Sequence, residues 1–386
     1  MLLVSGQDRV KYAGEKCDAR HVCDRVQQAE RHTMIRVYPL PPQLVTNPYL
    51  DQLYTPMMGM GIEVWRMRPR YALPPLYLSR GPRILHLHFC DEIIQRRSAW
   101  QTVVRSLAFL AGLRLLLLRG VRLVWTAHNL KPHECYHPVW AFNVYRSISR
   151  WSSAIIAHSE AAQHMLITRY GHLSACHVIP QGNYIGHYGP LRDQAQSRAE
   201  LGLPVHGPIL LNLGALRPYK GLEDLLTAFA QLPEETRGRL FIVGAAKDRA
   251  YAAVVQRQAS RISGALVLPH FVPDSELPLY LAAADVVVLP YRSLLTSAML
   301  MCAMSYACPV IVPASGPVLE LVQEGQNGFL FTPGDTASLC AALARALAHP
   351  DRDQVGQAAL QTARSFDWAT IAAATAAVYR QVIAQE

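Results

Sequence analysis

From residue 34 onward the hydrophobic positions fall into short apolar runs separated by longer amphipathic stretches. Runs at 34–38, 62–66, 84–88, 121–127, 153–157 and 176–180 predict strands. Between them, 93–118 and 159–169 carry helical spacing. Residues 181–206, with Gly, Pro and polar side chains, read as a linker, after which the alternation resumes. Strands are predicted at 208–213, 239–243, 265–268, 285–289 and 309–312, and helices at 222–232, 250–262, 276–284, 297–306 and 336–348. Mostly apolar strands alternating with helices predict parallel sheets covered on both faces. Two successive sets predict an α/β protein with two Rossmann-like domains facing a central cleft. The domains are placed at 34–190 and 191–365, with a helix at 366–386 packing back toward the first. Residues 1–33 are polar and aperiodic and predict a poorly ordered extension, with Met34 a candidate natural start.

Composition sharpens this picture in three ways. At 51% hydrophobic and 17% charged, the 386 residues can bury large cores and are not those of a disordered chain. The eight cysteines show no metal or disulfide spacing and fit a reducing cytosol. The net charge of +9 is lopsided. Residues 34–180 hold sixteen basic and six acidic residues, a net of +10, whereas 181–386 hold fifteen and seventeen, a net of −2. A one-sided field points to an anionic partner such as a membrane surface or a phosphorylated substrate. No nucleic-acid motif accompanies the scattered Arg residues, so nucleic acid is not expected as a partner. Helix 93–118 is largely apolar and flanked by Arg96, Arg97 and Arg122; it is either buried or pressed on a membrane, and burial is the expectation.

In doubly wound sheets ligands bind beyond the carboxyl ends of the strands, so chemistry is sought there. Leu211-Asn212-Leu213-Gly214 closes one strand, and Arg217-Pro218-Tyr219-Lys220-Gly221 follows. Gly214 permits close backbone approach. Arg217 can grip phosphate bidentately and Lys220 can meet it as a point charge; two solvated cations on a turn are the ordinary alternative. Thr296 or Ser297 can cap helix 297–306, whose N-terminus would suit a diphosphate. In the first half, His86 and His88 share one face of their strand, and Asp91 follows it. The next strand ends at His128-Asn129, with Lys131, His133 and Glu134 beyond. The histidines lack the carboxylate spacing of a metal site and are read as orienting a loop or contacting substrate. Asp91 or Glu134 is a candidate general base for an acceptor hydroxyl. Thr46-Asn47-Pro48-Tyr49 opens a helix at the first strand's tip, with Thr46 or Asn47 as N-cap, and places Asn47 and Tyr49 toward the cleft.

These segments, in order, resemble the GT-B glycosyltransferases, and most closely the β-mannosyltransferases of xanthan assembly. The resemblance rests on Thr46-Asn47-Pro48-Tyr49-Leu50, Leu85-His86-Leu87-His88, His128-Asn129-Leu130 with Pro132-His133-Glu134, Arg217-Pro218-Tyr219-Lys220-Gly221, and Leu289-Pro290-Tyr291 followed by Ser297. It implies inverting transfer of mannose from GDP-mannose to a polyprenyl-diphosphate-linked oligosaccharide in bacterial exopolysaccharide synthesis. The enzyme would be peripheral on the cytoplasmic face of an anionic plasma membrane, with no metal or further cofactor. Three departures stand out. Leu294 and Cys302 occupy the places of the two glutamates of related retaining enzymes, Ala298 stands where a Gly is expected, and Asp91 where a Glu is. A sugar-nucleotide epimerase of the same architecture and a non-catalytic assembly scaffold are the alternatives.

Overall fold

The computed structural model describes residues 34–44, 47–66, 76, 81–132, 135–171 and 175–385; the extension expected at 1–33 lies outside them. Two six-stranded sheets, parallel throughout, dominate the chain. The first holds β1 (Ile35–Leu40), β2 (Ile62–Val64), β3 (Arg83–Leu87), β4 (Arg122–Thr126), β5 (Ala154–Ala157) and β6 (Cys176–Val178) in the order β2-β1-β3-β4-β5-β6. Its helices are α1 (Tyr49–Tyr54), α2 (Asp91–Ile94), α3 (Ala99–Leu118), α4 (Pro138–Trp151) and α5 (Glu160–Tyr170). After α6 (Gln194–Glu200), within the expected linker, comes the second sheet: β7 (Ile209–Leu213), β8 (Arg239–Val243), β9 (Ala265–Leu268), β10 (Val286–Val288), β11 (Val310–Pro313) and β12 (Phe329–Phe331), ordered β12-β11-β10-β7-β8-β9. Its helices are α7 (Leu222–Ala230), α8 (Glu234–Arg237), α9 (Arg249–Ala259), α10 (Leu277–Ala283), α11 (Ala298–Ser305), α12 (Gly316–Leu319), α13 (Thr336–Ala348) and α14 (Arg352–Arg364), and α15 (Trp368–Ala384) ends the chain.

Strand alternation divides each core. In β7, Leu210 faces Leu222, Leu226 and Phe229, while Leu211 and Leu213 face Tyr280, Leu300 and Met304. Helices cover both faces, which is why β10 can read Val-Val-Val with every residue buried. The strand order reverses between β1 and β3 in one sheet and between β7 and β10 in the other. Those two switch points are where a doubly wound sheet opens a crevice.

The two halves are tied at several places. Phe366 accepts from the Asn183 amide (3.0 Å), and the Trp368 indole donates to the Asn183 carbonyl (2.7 Å). A Cβ at Gly182 would stand 2.3 Å from the Trp368 ring, so only glycine fits this crossing. Beyond it, α15 covers the first sheet, packing Ile371, Ala376 and Tyr379 with Ile35, Val37 and Val124. Glu320, beside α12, accepts from the amides of Glu160 (3.1 Å) and Ala161 (2.7 Å), satisfying two donors that open α5.

The stretch expected as one helix over 93–118 is split into α2 and α3. The expected burial of α3 is overturned: Thr102, Ser106, Leu113 and Leu116 are its only buried residues, while Trp100 is 67% and Leu118 70% exposed. By length and composition α3 could cross a membrane. It is, however, the crossover between β3 and β4, which are hydrogen-bonded neighbours, and it packs on α2 and α4. A helix holding two adjacent strands of one sheet lies along that sheet and does not separate its ends by a bilayer.

Candidate active site

Loops at the carboxyl ends of both sheets face each other across a cleft of about 530 Å³. One wall carries Gly214, Tyr219, Lys220, Tyr291 and residues 293–299; the other carries Asn47, Tyr49, Phe89, residues 128–132, Met165 and Arg169; Gln181 joins them. Asn212 ties the switch point of the second sheet by donating to the Val288 carbonyl (2.7 Å).

Backbone geometry places Lys220. Gly214 has φ +123°, and a Cβ there would lie 2.6 Å from the Lys220 Nζ, so the glycine lets the ammonium rest against the chain. Residues Pro218–Lys220 make one tight turn that ends at Gly221 in the left-handed region (φ 66°). A Cβ at Gly221 would meet the Pro290 carbonyl at 2.2 Å. Lys220 is therefore fixed beneath the cleft, only 7% exposed, with its ammonium 5.6 Å from the Tyr291 ring centroid. No carboxylate among the described residues pairs with it within 4 Å. Burial, and then the charge of Arg217, push its pKa down to about 8. Arg217, close enough to act on that charge, is not in the lining itself, and its buried Nε has no hydrogen-bond partner among the described residues. Arg292, only 43% exposed, has no such freedom: it grips Asp224 with two bonds of 2.8 and 2.9 Å. Across from Lys220, the Ser297 hydroxyl caps α11 by accepting from the Leu300 amide (3.1 Å), and Thr296 donates to Gln181 (2.6 Å). Ala298 and Met299, in the first turn of α11, line the cleft. Two cations without a carboxylate partner among the described residues, beside a capped helix start, have the chemistry to receive a multiply charged anion.

The opposite wall rests on a buried histidine chain. His158 faces the Ile179 carbonyl through Nδ1 (2.9 Å), and a carbonyl only accepts, so Nδ1 carries the proton. Its Nε2 then accepts from Nδ1 of His128 (3.3 Å), whose Nε2 accepts from Nδ1 of His88 (3.4 Å), whose Nε2 accepts from the Tyr54 hydroxyl (2.8 Å). One carbonyl thus fixes three tautomers. Burial lowers His158 to about 4, holds His88 well below its usual range and lowers His86 to about 3, so these three rings are neutral at pH 7. Phe89 stacks on His128 (4.2 Å, 15°), and Tyr49 meets it edge-on at 4.9 Å.

Of the residues expected at the cleft, Asn47, Tyr49, His128, Asn129, Gly214, Lys220, Thr296 and Ser297 line it. The N-cap position of α1 falls on Pro48, not on Thr46 or Asn47 as expected; the Asn47 side chain accepts from the Tyr49 amide (2.9 Å) in a turn that leads into the helix. His86 and His88 do not line the cleft: the wholly buried His86 bonds Tyr54 (2.8 Å), Thr126 (2.7 Å) and Tyr379 of α15 (2.5 Å). Asp91 is not in the lining either, and its carboxylate accepts from the Tyr145 hydroxyl at 2.5 Å. Thr46, His133 and Glu134 lie outside the described residues. No carboxylate occurs among the described lining residues. Sequence reading passed over Gln181, Arg169 and His158; His158 was findable, because it follows β5 as His128 follows β4.

This fold and this cleft define the chain as a member of the GT-B glycosyltransferases. Residues 28–182 match the Glycosyltransferase Family 4 model and residues 193–362 the model for Glycosyl transferases group 1. The chain is 30% identical over 293 residues to the GDP-mannose:glycolipid 4-beta-D-mannosyltransferase of Xanthomonas campestris pv. campestris, covering 75% of this chain and 76% of that protein. It is 29% identical over 378 residues to the D-inositol 3-phosphate glycosyltransferase of a Nocardioides species, covering 85% and 82%. Among solved structures, Anabaena HepE in complex with UDP matches with a TM-score of 0.69 at 20% identity, covering 90% of this chain and all of that one. Sucrose-phosphate synthase from Thermosynechococcus elongatus matches at 0.70 and 19%, covering 91% and all of that chain. The chain is a glycosyltransferase.

Proposed function

We propose that this glycosyltransferase moves mannose from GDP-mannose onto a polyprenyl-diphosphate-linked oligosaccharide in exopolysaccharide synthesis, with inversion in one displacement. The observation that carries the reading is the pair of uncompensated cations, Lys220 and Arg217, at the switch point of the second sheet. Fixed charge placed where the diphosphate departs lowers the barrier more than any other single effect in such catalysis. Lys220, Arg217 and the Ser297-capped start of α11 take up the developing charge, and Gly214 allows the phosphates close to the backbone. The similarity to the Xanthomonas mannosyltransferase supports the donor and the glycolipid acceptor.

A base must take the proton of the acceptor hydroxyl. The engagement of Asp91 with Tyr145 argues for Glu134, two positions after the cleft-lining Pro132. The exposed face of α3 supports a peripheral position on the membrane. Trp100, Val104, Leu107, Leu115 and Leu118 are all 48–70% exposed at helical spacing, with Arg96, Arg97, Arg119 and Arg122 around them.

The test is a thermal-shift panel of GDP-mannose, UDP-glucose and dTDP-glucose, followed by transfer of labelled mannose into a bacterial lipid extract. Selective stabilisation by GDP-mannose and label in the organic phase are expected; stabilisation by UDP-glucose alone would refute the donor. The similarity to the inositol-phosphate enzyme favours a second reading, a soluble phosphorylated polyol as acceptor. Product partitioning into water would select it.

A further inference from the structure

The wall opposite Lys220 carries two cations of its own, Lys131 and Arg169. Neither forms an ion pair within 4 Å among the described residues. Both side chains are exposed, and one phenol joins Arg169 to the backbone beside Lys131. Arg169, in the last turn of α5, donates through Nε to the Tyr170 hydroxyl (3.4 Å), and that hydroxyl donates to the carbonyl of Leu130, the neighbour of Lys131. The Arg169 guanidinium also lies 5.7 Å from the ring centroids of both Phe142 and Tyr170, which are stacked on each other. Burial raises the Cys135 thiol, and Lys131 and Arg169 both pull it back, so both charges lie near it. A guanidinium seated on aromatic faces with its outer N–H groups unspent is preorganised for a phosphate.

The position matters as much as the charge. The chain leaves Lys131 for Tyr136 and Val139, which are 43% and 71% exposed. His137 then bonds to Gln95 (3.1 Å) and to the Arg97 carbonyl (3.3 Å), at the entrance to α3 and its exposed Trp100. The two cations therefore stand where an exposed apolar face meets the cleft.

From this juxtaposition we infer that Lys131 and Arg169 form a second anion subsite, which takes the phosphate of a lipid-linked acceptor while the donor diphosphate sits against Lys220. The inference rests on the glycolipid-acceptor reading. The acceptor lipid would lie along the apolar face, its phosphate at the junction, and its sugar would reach across to the donor.

Calorimetry on the full chain tests it. GDP is bound first, and farnesyl diphosphate, farnesol and inorganic pyrophosphate are then titrated separately. Farnesyl diphosphate is expected to bind to the GDP-saturated protein, with farnesol and pyrophosphate at least tenfold weaker. Arg169→Gln and Lys131→Gln are each expected to weaken farnesyl diphosphate about tenfold, as loss of a charge-assisted hydrogen bond does, while GDP binding stays within twofold. Arg169→Lys should recover part of the loss. Competition between GDP and farnesyl diphosphate for one site would overturn the inference, as would variants within twofold of the parent. Equal binding of pyrophosphate would show a site for free phosphate, and equal binding of farnesol a site blind to the headgroup; either overturns it. Absence of GDP binding would instead refute the GDP-mannose donor, so the two failures are separable.

Discussion

Replacing Lys220 by Met keeps most of the stem that packs against Tyr291 and removes the charge. In the unliganded protein this charge is a burden. Depression of the pKa from 10.5 to about 8 corresponds to ~3 kcal/mol of folding free energy. The sign follows from proton counting. Between pH 8 and 10.5 the unfolded chain holds a proton on Lys220 that the folded chain has released, so stability rises with pH across that window and is lowest below it. At pH 7, then, Lys220→Met should leave the unliganded protein more stable, by up to ~3 kcal/mol, and raise its melting temperature by several degrees. Donor binding should move the other way. Loss of one charge-assisted contact to phosphate costs about 1.5–3 kcal/mol, or roughly 10- to 150-fold in affinity, and turnover should fall about 100-fold or more.

Two assays read the two halves of this claim. Differential scanning calorimetry of parent and variant without nucleotide gives the stability. Calorimetric titration with GDP gives the affinity, and its pH dependence adds a third reading. Anion binding favours the charged ammonium, so parent affinity should hold below pH 8 and fall above it, and the variant should lose that dependence. A variant that is less stable than the parent at pH 7, with GDP affinity unchanged, would show that Lys220 is a structural cation and would refute the donor-phosphate assignment.

Other outcomes follow from the same geometry. Glu134→Gln should abolish transfer with GDP binding intact, whereas Asp91→Asn should retain at least a tenth of the activity; the reverse order in an initial-rate assay would return the base role to Asp91. Trp100→Glu and Leu107→Glu, on the exposed face of α3, should reduce flotation with anionic vesicles several-fold while the melting temperature changes little, because neither side chain is buried in the fold; undiminished flotation would remove α3 from the membrane contact. Burial holds His158 at about 4 and His86 at about 3, below the usual 6.5, so the folded state resists protonation and stability should decline as the pH falls from 6.5 toward 4. A melting temperature flat across that range would contradict the neutrality of His158 and His86.

Features set by neighbours in the chain were legible in the sequence. The strand and helix alternation, the turn that Asn47 makes before α1, the cap at Ser297 and the close approach at Gly214 each depend on a few adjacent residues. Features set by distant contacts were not. His86 and His88 share a strand face, as alternation requires, but whether that face meets the cleft depends on α15, whose Tyr379 lies 293 positions away from His86. The orientation of Asp91 depends on Tyr145, 54 positions away. The exposure of α3 was misjudged because an apolar helix reads alike whether a neighbour or a membrane covers it; among the described residues, no element of the chain covers its outer face.

Charge marks this site through pairing, and net charge does not. Arg217 and Arg292 stand at equivalent strand tips with the same formal charge, yet Asp224 neutralises one and nothing among the described residues neutralises the other's buried Nε. The half of the chain with net −2 carries the most heavily desolvated unpaired cation, Lys220. A paired surface cation is stable without a ligand and gains little from one. A buried unpaired cation costs the folded state several kcal/mol until an anion arrives, so its persistence in the fold is itself a sign of the ligand. The cations of the first half do not meet that criterion: Lys131 and Arg169 are exposed, as a subsite open to an arriving lipid phosphate would be, and the Arg residues around α3 are proposed to meet a surface. Salt separates dispersed surface charge from the desolvated Lys220. Vesicle binding through the dispersed charges should fall steeply between low and about 0.5 M salt, while nucleotide binding at the desolvated Lys220 should weaken far less over the same range.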